Sequence, residues 1–177
     1  MLVALYTFGQ FLLPSEDQAN DGFHALNDAV LREIENSPGF VARSGYESDP
    51  GPESWGPETY PRFYKNNGDG WAPATLSLWR DLHSPLSATY SGLHNRAFKR
   101  GHKWFQRGNW PPLVLWWVED THKPTWAEGA SRLEYLHDNG PTREAFTFRR
   151  SFAVDGRAFT PETGSESEAD HPNPLLG

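Results

Sequence analysis

Two segments of this 177-residue chain are apolar on both faces of an extended strand, and they constrain the fold more than any other feature. They are LVALYTF at residues 2–8 and LVLWWV at residues 113–118. Successive side chains of a strand point to opposite faces, so Trp116 and Trp117 must lie on opposite sides of their sheet. Strands of this kind occur where both faces of a sheet are covered. The fold must therefore supply a covering layer on each side.

Helices alternate with strands along the rest of the chain. An apolar stripe at helical spacing begins at Phe23, and the Pro38-Gly39 pair ends that helix. Strand patterns then occur at residues 40–46, 74–80, 113–118 and 145–152, and helix patterns at residues 81–90, 93–107 and 124–139. This order predicts an α+β fold: a ferredoxin-like sandwich in which an antiparallel sheet carries its helices on one face.

The length predicts one domain over residues 1–159, and the Ser-, Glu- and Pro-rich composition of residues 160–177 predicts an acidic, flexible tail. Three main helices can cover only one face of a four- or five-stranded sheet. A second copy of the sheet would cover the other face and make a homodimer. The alternative is a monomer with a ligand cavity beneath its long loop.

That loop spans residues 44–73 and holds five Gly, five Pro and six aromatic residues, Tyr64 among them. Its aromatic content argues against disorder. We therefore expect a packed excursion over one mouth of the core, with a short strand at residues 62–65. An elongated hairpin that shields a sheet edge is the alternative.

Charge and composition exclude several partners. The net charge is −7, and residues 1–154 carry 18 acidic against 15 basic side chains, which does not suit a nucleic-acid binder. There is no Cys, so disulfides and thiolate metal sites are excluded. The apolar first residues lack the basic region of a signal peptide, and no segment approaches the ~20 apolar residues of a membrane span. We expect a cytoplasmic protein with no membrane partner.

His94 is the most informative candidate site residue. At about 100° per residue, the helix predicted over residues 93–107 places His94, Phe98, Trp104 and Phe105 on one face and its five cations on the other. A histidine removed from water can serve as a general acid or base near neutral pH. The alternative is a core histidine whose ring nitrogens are satisfied by backbone. His102 falls at the border of the same apolar face.

Several strings between residues 74 and 152 resemble one family: ATLSLW, SGLHNRAFKRGHKWF, LVLWWV, PTWAEGASRLEYL and GPTREAFTF. It is an uncharacterised bacterial and fungal family described as a domain of unknown function. It is grouped with the dimeric α+β barrel superfamily, alongside the antibiotic-biosynthesis monooxygenases. The resemblance implies a homodimer through sheet faces, with a pocket between the sheet and helices of each subunit. Its relatives include cofactor-independent oxygenases, polyketide cyclases and haem enzymes with a helical histidine ligand.

The resulting hypothesis is a small-molecule enzyme of secondary metabolism that acts on an apolar or aromatic, polyketide-like substrate. His94 would transfer a proton during oxygenation, cyclisation or isomerisation, with His102 and Arg132 as further catalytic candidates. The predicted substrate-binding residues are aromatic: Tyr64, Trp79, Phe98, Trp104 and Trp117. No metal or cofactor is required. One alternative is a haem enzyme with His94 as axial ligand, and another is a non-catalytic small-molecule binding protein.

Overall fold

A computed structural model describes residues 1–47 and 50–159, and for residues 97–99 it describes the backbone. The tail predicted over residues 160–177 lies outside the described residues. The helices and strands are β1 (Leu2–Phe8), α1 (Asp21–Glu35), β2 (Phe40–Arg43), β3 (Ala74–Trp79), α2 (His83–Tyr90), α3 (Gly92–Arg100), β4 (Leu113–Val118), α4 (Trp126–Asn139), β5 (Ser151–Phe152) and β6 (Ala158–Phe159).

Strands β1 to β4 form one antiparallel sheet in the order β2-β3-β1-β4. The α+β class and the antiparallel sheet are therefore as predicted, and the strand order is compatible with a ferredoxin-like arrangement. Val3 in the central strand β1 pairs with Trp79 of β3 on one side and with Trp117 of β4 on the other. These two indoles consequently lie on the same face of the sheet, about 10 Å apart at the usual strand spacing.

Helices cover both faces of the sheet, so the predicted one-sided arrangement is wrong. The face of Val3 is covered by α2 with Leu82 and Ala88, and by Ile34 of α1; we call this the α2 face. The opposite face is covered by α4, and we call it the α4 face. Its buried side chains are Ala4, Tyr6, Phe8, Trp55, Ala72, Ala74, Leu76, Leu78, Val114, Trp116, Val118, Trp126, Leu133, Leu136 and Ala145.

The long loop completes the α4 face. Tyr46 stacks on Trp126 with ring centroids 5.5 Å apart, and Trp55 is buried in the same cluster. This agrees with the predicted packed excursion, but residues 62–65 form no strand. Because the chain covers both faces of its sheet itself, the uncovered face from which the homodimer was inferred is not found. Dimerisation itself stays a prediction.

The helix predicted over residues 93–107 ends early, at Arg100, and a 3-10 turn continues at Gly101–Lys103. The residues after this turn pair with the segment after β1. The Leu12 amide donates to the Trp104 carbonyl at 2.8 Å, and the Gln106 amide donates to the Gln10 carbonyl at 2.8 Å. This pairing competes with helical hydrogen bonds, and it takes Trp104 and Phe105 off the face that holds His94.

The strand predicted over residues 145–152 is also broken. Phe146 makes a two-bond bridge to Leu115 at the edge of β4, with N–O distances of 2.8 and 2.9 Å. The chain then turns and forms the β5–β6 hairpin, in which Ser151 pairs with Phe159. The hairpin packs at the margin of the α2 face through Phe152 and Phe159.

Candidate ligand-binding cleft

The predicted catalytic residues do not form one site. His94 lies at the start of α3, beside the end of α2, whereas Trp104 packs on Phe23 and Gly22 at the start of α1. The start of α3 instead contacts Glu33, whose Oε2 accepts from the Leu93 amide at 2.8 Å. Ten residues of α1 separate Phe23 from Glu33, which corresponds to about 15 Å. Among the described side chains, Trp104 therefore does not line a cavity with His94.

His94 is half-buried and held by backbone. Its Nδ1 lies 2.7 Å from the carbonyl oxygen of Thr89. A carbonyl only accepts, so Nδ1 carries the proton and Nε2 is the acceptor of the neutral ring. His102 lies on the 3-10 turn after α3 and is exposed. The predicted contact residue Phe98 has a side chain outside the described residues.

Arg132 on α4 has structural partners. Its Nη1 donates to the Glu144 carbonyl at 2.7 Å and lies 3.3 Å from the carboxylate of the same residue. Glu128, one helical turn earlier, is 3.9 Å away. These contacts tie α4 to the segment that bridges β4. Arg132 belongs to the α4 side of the molecule, away from the α3 residues with which it was grouped.

Tyr64 lies in the loop that covers the α4 face. Its ring is 4.6 Å from that of Tyr60, and its hydroxyl oxygen is buried with no hydrogen-bond partner among the described residues. Burial raises the pKa of this phenol, and burial raises the pKa of Tyr60 as well. Both rings are packing elements of the closed face.

The remaining two predicted aromatics lie together on the α2 face. Trp79 is fully buried, and its Nε1 donates to the Ser77 hydroxyl at 2.9 Å. Trp117 is half-buried, and its Nε1 donates to the carbonyl of Phe152 at 2.7 Å. Trp117 lines an open cleft on this face, and no other predicted site residue with a described side chain does so.

This cleft has a volume of about 490 Å³ and lies where β3 and β4 end, between the start of α2 and the β5–β6 hairpin. Its volume falls in the range typical of small-molecule sites. Five apolar and three ionisable residues line it: Leu82, Trp117, Ala153, Val154, Phe159, Asp81, His83 and Asp155.

The hairpin wall of the cleft is well fixed. The Trp117 bond to Phe152 anchors it to the sheet, and the Ser151 hydroxyl donates to the Phe159 carbonyl at 3.1 Å. At its tip, the Ala153 amide donates to the Arg157 carbonyl at 2.8 Å. The indole of Trp117 therefore has a fixed orientation, which favours stacking of a flat apolar molecule on it.

Three of the residues that line the cleft are ionisable. Asp81 Oδ1 accepts from the amide and the hydroxyl of Ser84, both at 2.9 Å, which caps the first turn of α2. The ring of His83 lies edge-on to Phe159, with centroids 5.5 Å apart. Asp155 accepts from the Arg157 amide at 3.0 Å and from its Nε at 2.7 Å. These bonds from Arg157 lower the pKa of the Asp155 carboxyl.

Local sequence patterns did not predict Asp81, His83 and Asp155 as cleft residues, although the sequence does contain a signal for the hairpin. Asp155-Gly156 between apolar residues is a strong hairpin signal, and Gly156 adopts a φ of +83°. A hairpin at residues 151–159 could have been predicted from it. The approach of His83 and Asp81 to that hairpin depends on tertiary packing.

The described residues offer neither a metal centre nor a membrane-spanning helix. Over residues 1–47 and 50–159, no group of three or more His, Asp and Glu side chains is placed to hold a metal ion. Within the same ranges, no helix combines the length and the apolar character needed to cross a bilayer. The chemistry that the described cleft offers is mainly apolar contact.

The fold and the cleft together define an α+β domain with an open apolar cleft on one face of its sheet. Residues 2–162 match the family model described as Domain of unknown function (DUF3291), and the chain belongs to that family. The match covers the sheet and helices α1 to α4 in full. No curated protein and no solved structure matches the chain.

Proposed function

We propose that this protein binds an apolar, flat small molecule in the cleft between the start of α2 and the β5–β6 hairpin. The observation that carries the proposal is an open apolar cavity of about 490 Å³ with the half-buried indole of Trp117 in its lining. Ligand sites are typically apolar cavities with a few polar groups that orient the ligand. Binding needs an apolar lining and a few polar groups, whereas catalysis at this cleft would also need reactive groups placed against the ligand.

A neutral fluorescent probe tests this proposal. N-phenyl-1-naphthylamine should bind at a single saturable site with increased fluorescence. Val154 lines the cleft and is 49 % exposed, so Val154→Asn removes apolar contact without removing core packing. We expect this variant to weaken binding about three- to tenfold, because loss of one apolar side chain from a site costs about 1 kcal/mol.

The matched control is Val41→Asn on β2. Val41 is 40 % exposed and does not line the cleft, so this variant should bind the probe as the parent protein does. Absence of saturable binding by the parent protein would contradict the proposal. Equal weakening by both substitutions would also contradict it, because the probe would then bind through general surface apolarity.

Proton-transfer catalysis by His94 is a second candidate. It is supported by the bond from Nδ1 to the Thr89 carbonyl, which leaves Nε2 as the acceptor required of a general base. Loss of turnover in a folded His94→Ala protein, once a substrate is found, would support it; full turnover would contradict it. The haem alternative, with His94 as axial ligand, also remains a proposal. An added-haem titration that gives no Soret shift, or the same shift in His94→Ala, would contradict it.

The relation to antibiotic-biosynthesis monooxygenases remains part of the proposal at the level of fold. Its support is the strand order β2-β3-β1-β4 and the family resemblance. From that relation we propose an enzyme of secondary metabolism that catalyses oxygenation, cyclisation or isomerisation. The same relation leads us to propose a homodimer. Native mass measurement tests the dimer, and a single-subunit mass at micromolar concentration would contradict it.

A further inference from the structure

The last described residue of the chain forms part of the wall of the apolar cleft. Phe159 lines the cleft, and its ring lies edge-on to that of His83. Its backbone is fixed, because the Ser151 hydroxyl donates to the Phe159 carbonyl at 3.1 Å. The sequence continues from this point into the tail, residues 160–177, which lies outside the described residues. The tail is therefore tethered directly beside the cleft.

Two adjacent leucines are the only large apolar side chains in the sequence of the tail. They are Leu175 and Leu176, and they follow Pro172-Asn173-Pro174. Proline favours extended backbone at its own position and at the residue before it, so these prolines reduce the conformational entropy that an extended segment loses on docking. Leucine side chains gain free energy when they pack on an apolar surface. Residues 172–176 are thus the part of the tail that suits an apolar cleft.

The tether has a suitable length for this contact. Leu175 follows Phe159 by 16 residues in the sequence. A flexible chain of that length has a root-mean-square end-to-end distance of about 20–25 Å. Such a tether holds its segment at roughly millimolar effective concentration. The cleft, with its volume of about 490 Å³, has room for two leucine side chains.

Charge also favours contact between the tail and the hairpin side of the cleft. Residues 149–159 carry three arginines and one aspartate. Arg157 pairs with Asp155, so the net positive charge of this segment lies at the exposed residues Arg149 and Arg150. The tail carries four acidic side chains and no Lys or Arg, and all four precede its leucines. Opposite charges at an exposed surface attract weakly and increase the rate of encounter.

We propose that residues 172–176 dock in the cleft of their own chain, with Leu175 and Leu176 against its apolar lining. The tail then covers the cleft in the unliganded protein and competes with an apolar ligand for it. Docking requires the cleft and no ligand, whereas the competition rests on the proposed binding function. A ligand that binds the cleft must displace the tail, so the tail lowers the apparent affinity of the cleft.

A nitroxide spin label tests the docking without a ligand. The chain has no Cys, so Gly177→Cys gives a single attachment point beside the two leucines. In a ¹H–¹⁵N spectrum, the label should reduce the indole N–H signal of Trp117 more strongly than that of Trp116, which lies on the other face of the sheet. Leu175→Ser combined with Leu176→Ser should restore much of the Trp117 signal, because the tail then lacks its apolar anchors.

Binding of N-phenyl-1-naphthylamine tests the competition. The variant with Leu175→Ser and Leu176→Ser should bind this probe about threefold more tightly than the parent chain, because its tail no longer occupies the cleft. The matched control is Leu12→Ser combined with Leu13→Ser, the same change at another adjacent pair. These leucines are 49 % and 44 % exposed and do not line the cleft. The control should bind the probe as the parent chain does.

The outcomes distinguish this proposal from the binding function. If the label reduces the Trp117 signal equally with leucines and with serines in the tail, docking is wrong whether or not the probe binds. Equal probe affinity of the parent chain and the tail variant would contradict the competition. If the reduction depends on the leucines but the probe binds neither protein, the binding function is overturned and docking stands.

A mixing experiment separates docking within one chain from docking between two copies. Protein labelled with ¹⁵N and carrying no nitroxide is mixed with unlabelled protein that carries the nitroxide at position 177. The Trp117 signal should keep its intensity in this mixture. Loss of that signal would show that the tail docks on a second copy, and would overturn the proposal.

Discussion

The two faces of the sheet each carry a tryptophan side chain, and the two side chains differ in how deeply they are buried. On the α4 face, Trp126 at the start of α4 is fully buried between Tyr6 of β1 and the long loop, with Tyr46 stacked on it. On the α2 face, Trp117 is half-buried beside an open cleft. The difference lies in the covering segments: a 30-residue aromatic loop seals one face, whereas a nine-residue hairpin covers only part of the other. The closed face contributes to stability, and the open cleft is where we propose that a ligand binds.

The largest expected effect compares the two indoles directly. Trp126→Ala should lower the free energy of unfolding by about 3–5 kcal/mol, because it empties a fully buried site. Trp117→Ala should cost roughly 1–2 kcal/mol, because the indole is partly solvated and makes one hydrogen bond. Urea denaturation of the two variants measures both values. Equal losses would show that the two faces are equally closed.

Gly129 tests how closely α4 packs on the sheet. A Cβ at this position would lie 2.7 Å from Cδ2 of Tyr6, whose ring is fully buried. Gly129→Ala should therefore destabilise the protein by about 1–3 kcal/mol, despite the higher helix propensity of Ala.

Gly101→Ala is the matched control, since a Cβ there would lie 3.4 Å from Phe105 at ordinary contact distance. It should change stability by less than about 0.5 kcal/mol. A neutral effect of Gly129→Ala would contradict the close packing of α4 on β1.

The tyrosines of the closed face predict a response to alkaline pH. Burial raises the pKa values of Tyr6 and Tyr60 in the folded protein. The unfolded chain then loses these protons first, above the ordinary pKa of about 10, so stability is complete below that pH and falls as pH rises beyond it. Thermal unfolding between about pH 8 and about pH 11 should show this loss.

Tyr60→Phe should make that alkaline loss shallower. It should also lower stability at neutral pH by about 1 kcal/mol, because the Tyr60 hydroxyl accepts from the Ala72 amide at 3.2 Å. Tyr135→Phe, at a 39 % exposed position on α4, is the control and should leave the pH profile unchanged. If stability falls equally steeply with rising pH in the parent and Tyr60→Phe proteins, the buried Tyr60 phenol does not contribute to the alkaline loss.

Sequence patterns predicted the parts of the fold that depend on local periodicity. The predicted bounds of β4 coincide with Leu113–Val118, and Trp116 and Trp117 lie on opposite faces as alternation requires. The same reasoning failed for Trp104 and Phe105, because periodicity cannot anticipate that residues 104–106 pair with residues 10–12. For that reason, the structure does not place these rings beside His94 as predicted.

The position of α4 also depended on tertiary packing. Its apolar stripe is the same whichever face it covers, and Gly129 is the feature that allows its close approach to Tyr6. The cleft joins residues from β4, the start of α2 and a hairpin, so spacing along the chain could not bring Trp117 together with His83. Trp117 alone was predictable, because an indole next to Trp116 had to face away from it.

We propose that ligand reaches the α2 face and not the α4 face. The indole N–H groups of the eight tryptophans give separate signals in a ¹H–¹⁵N correlation spectrum, and Trp117→Phe assigns one of them. On titration with N-phenyl-1-naphthylamine, the Trp117 signal should shift, because its Nε1 bond to Phe152 borders the cleft, whereas the signals of Trp116 and Trp126 should not move. A shift of the Trp116 or Trp126 signals with an unchanged Trp117 signal would contradict that claim.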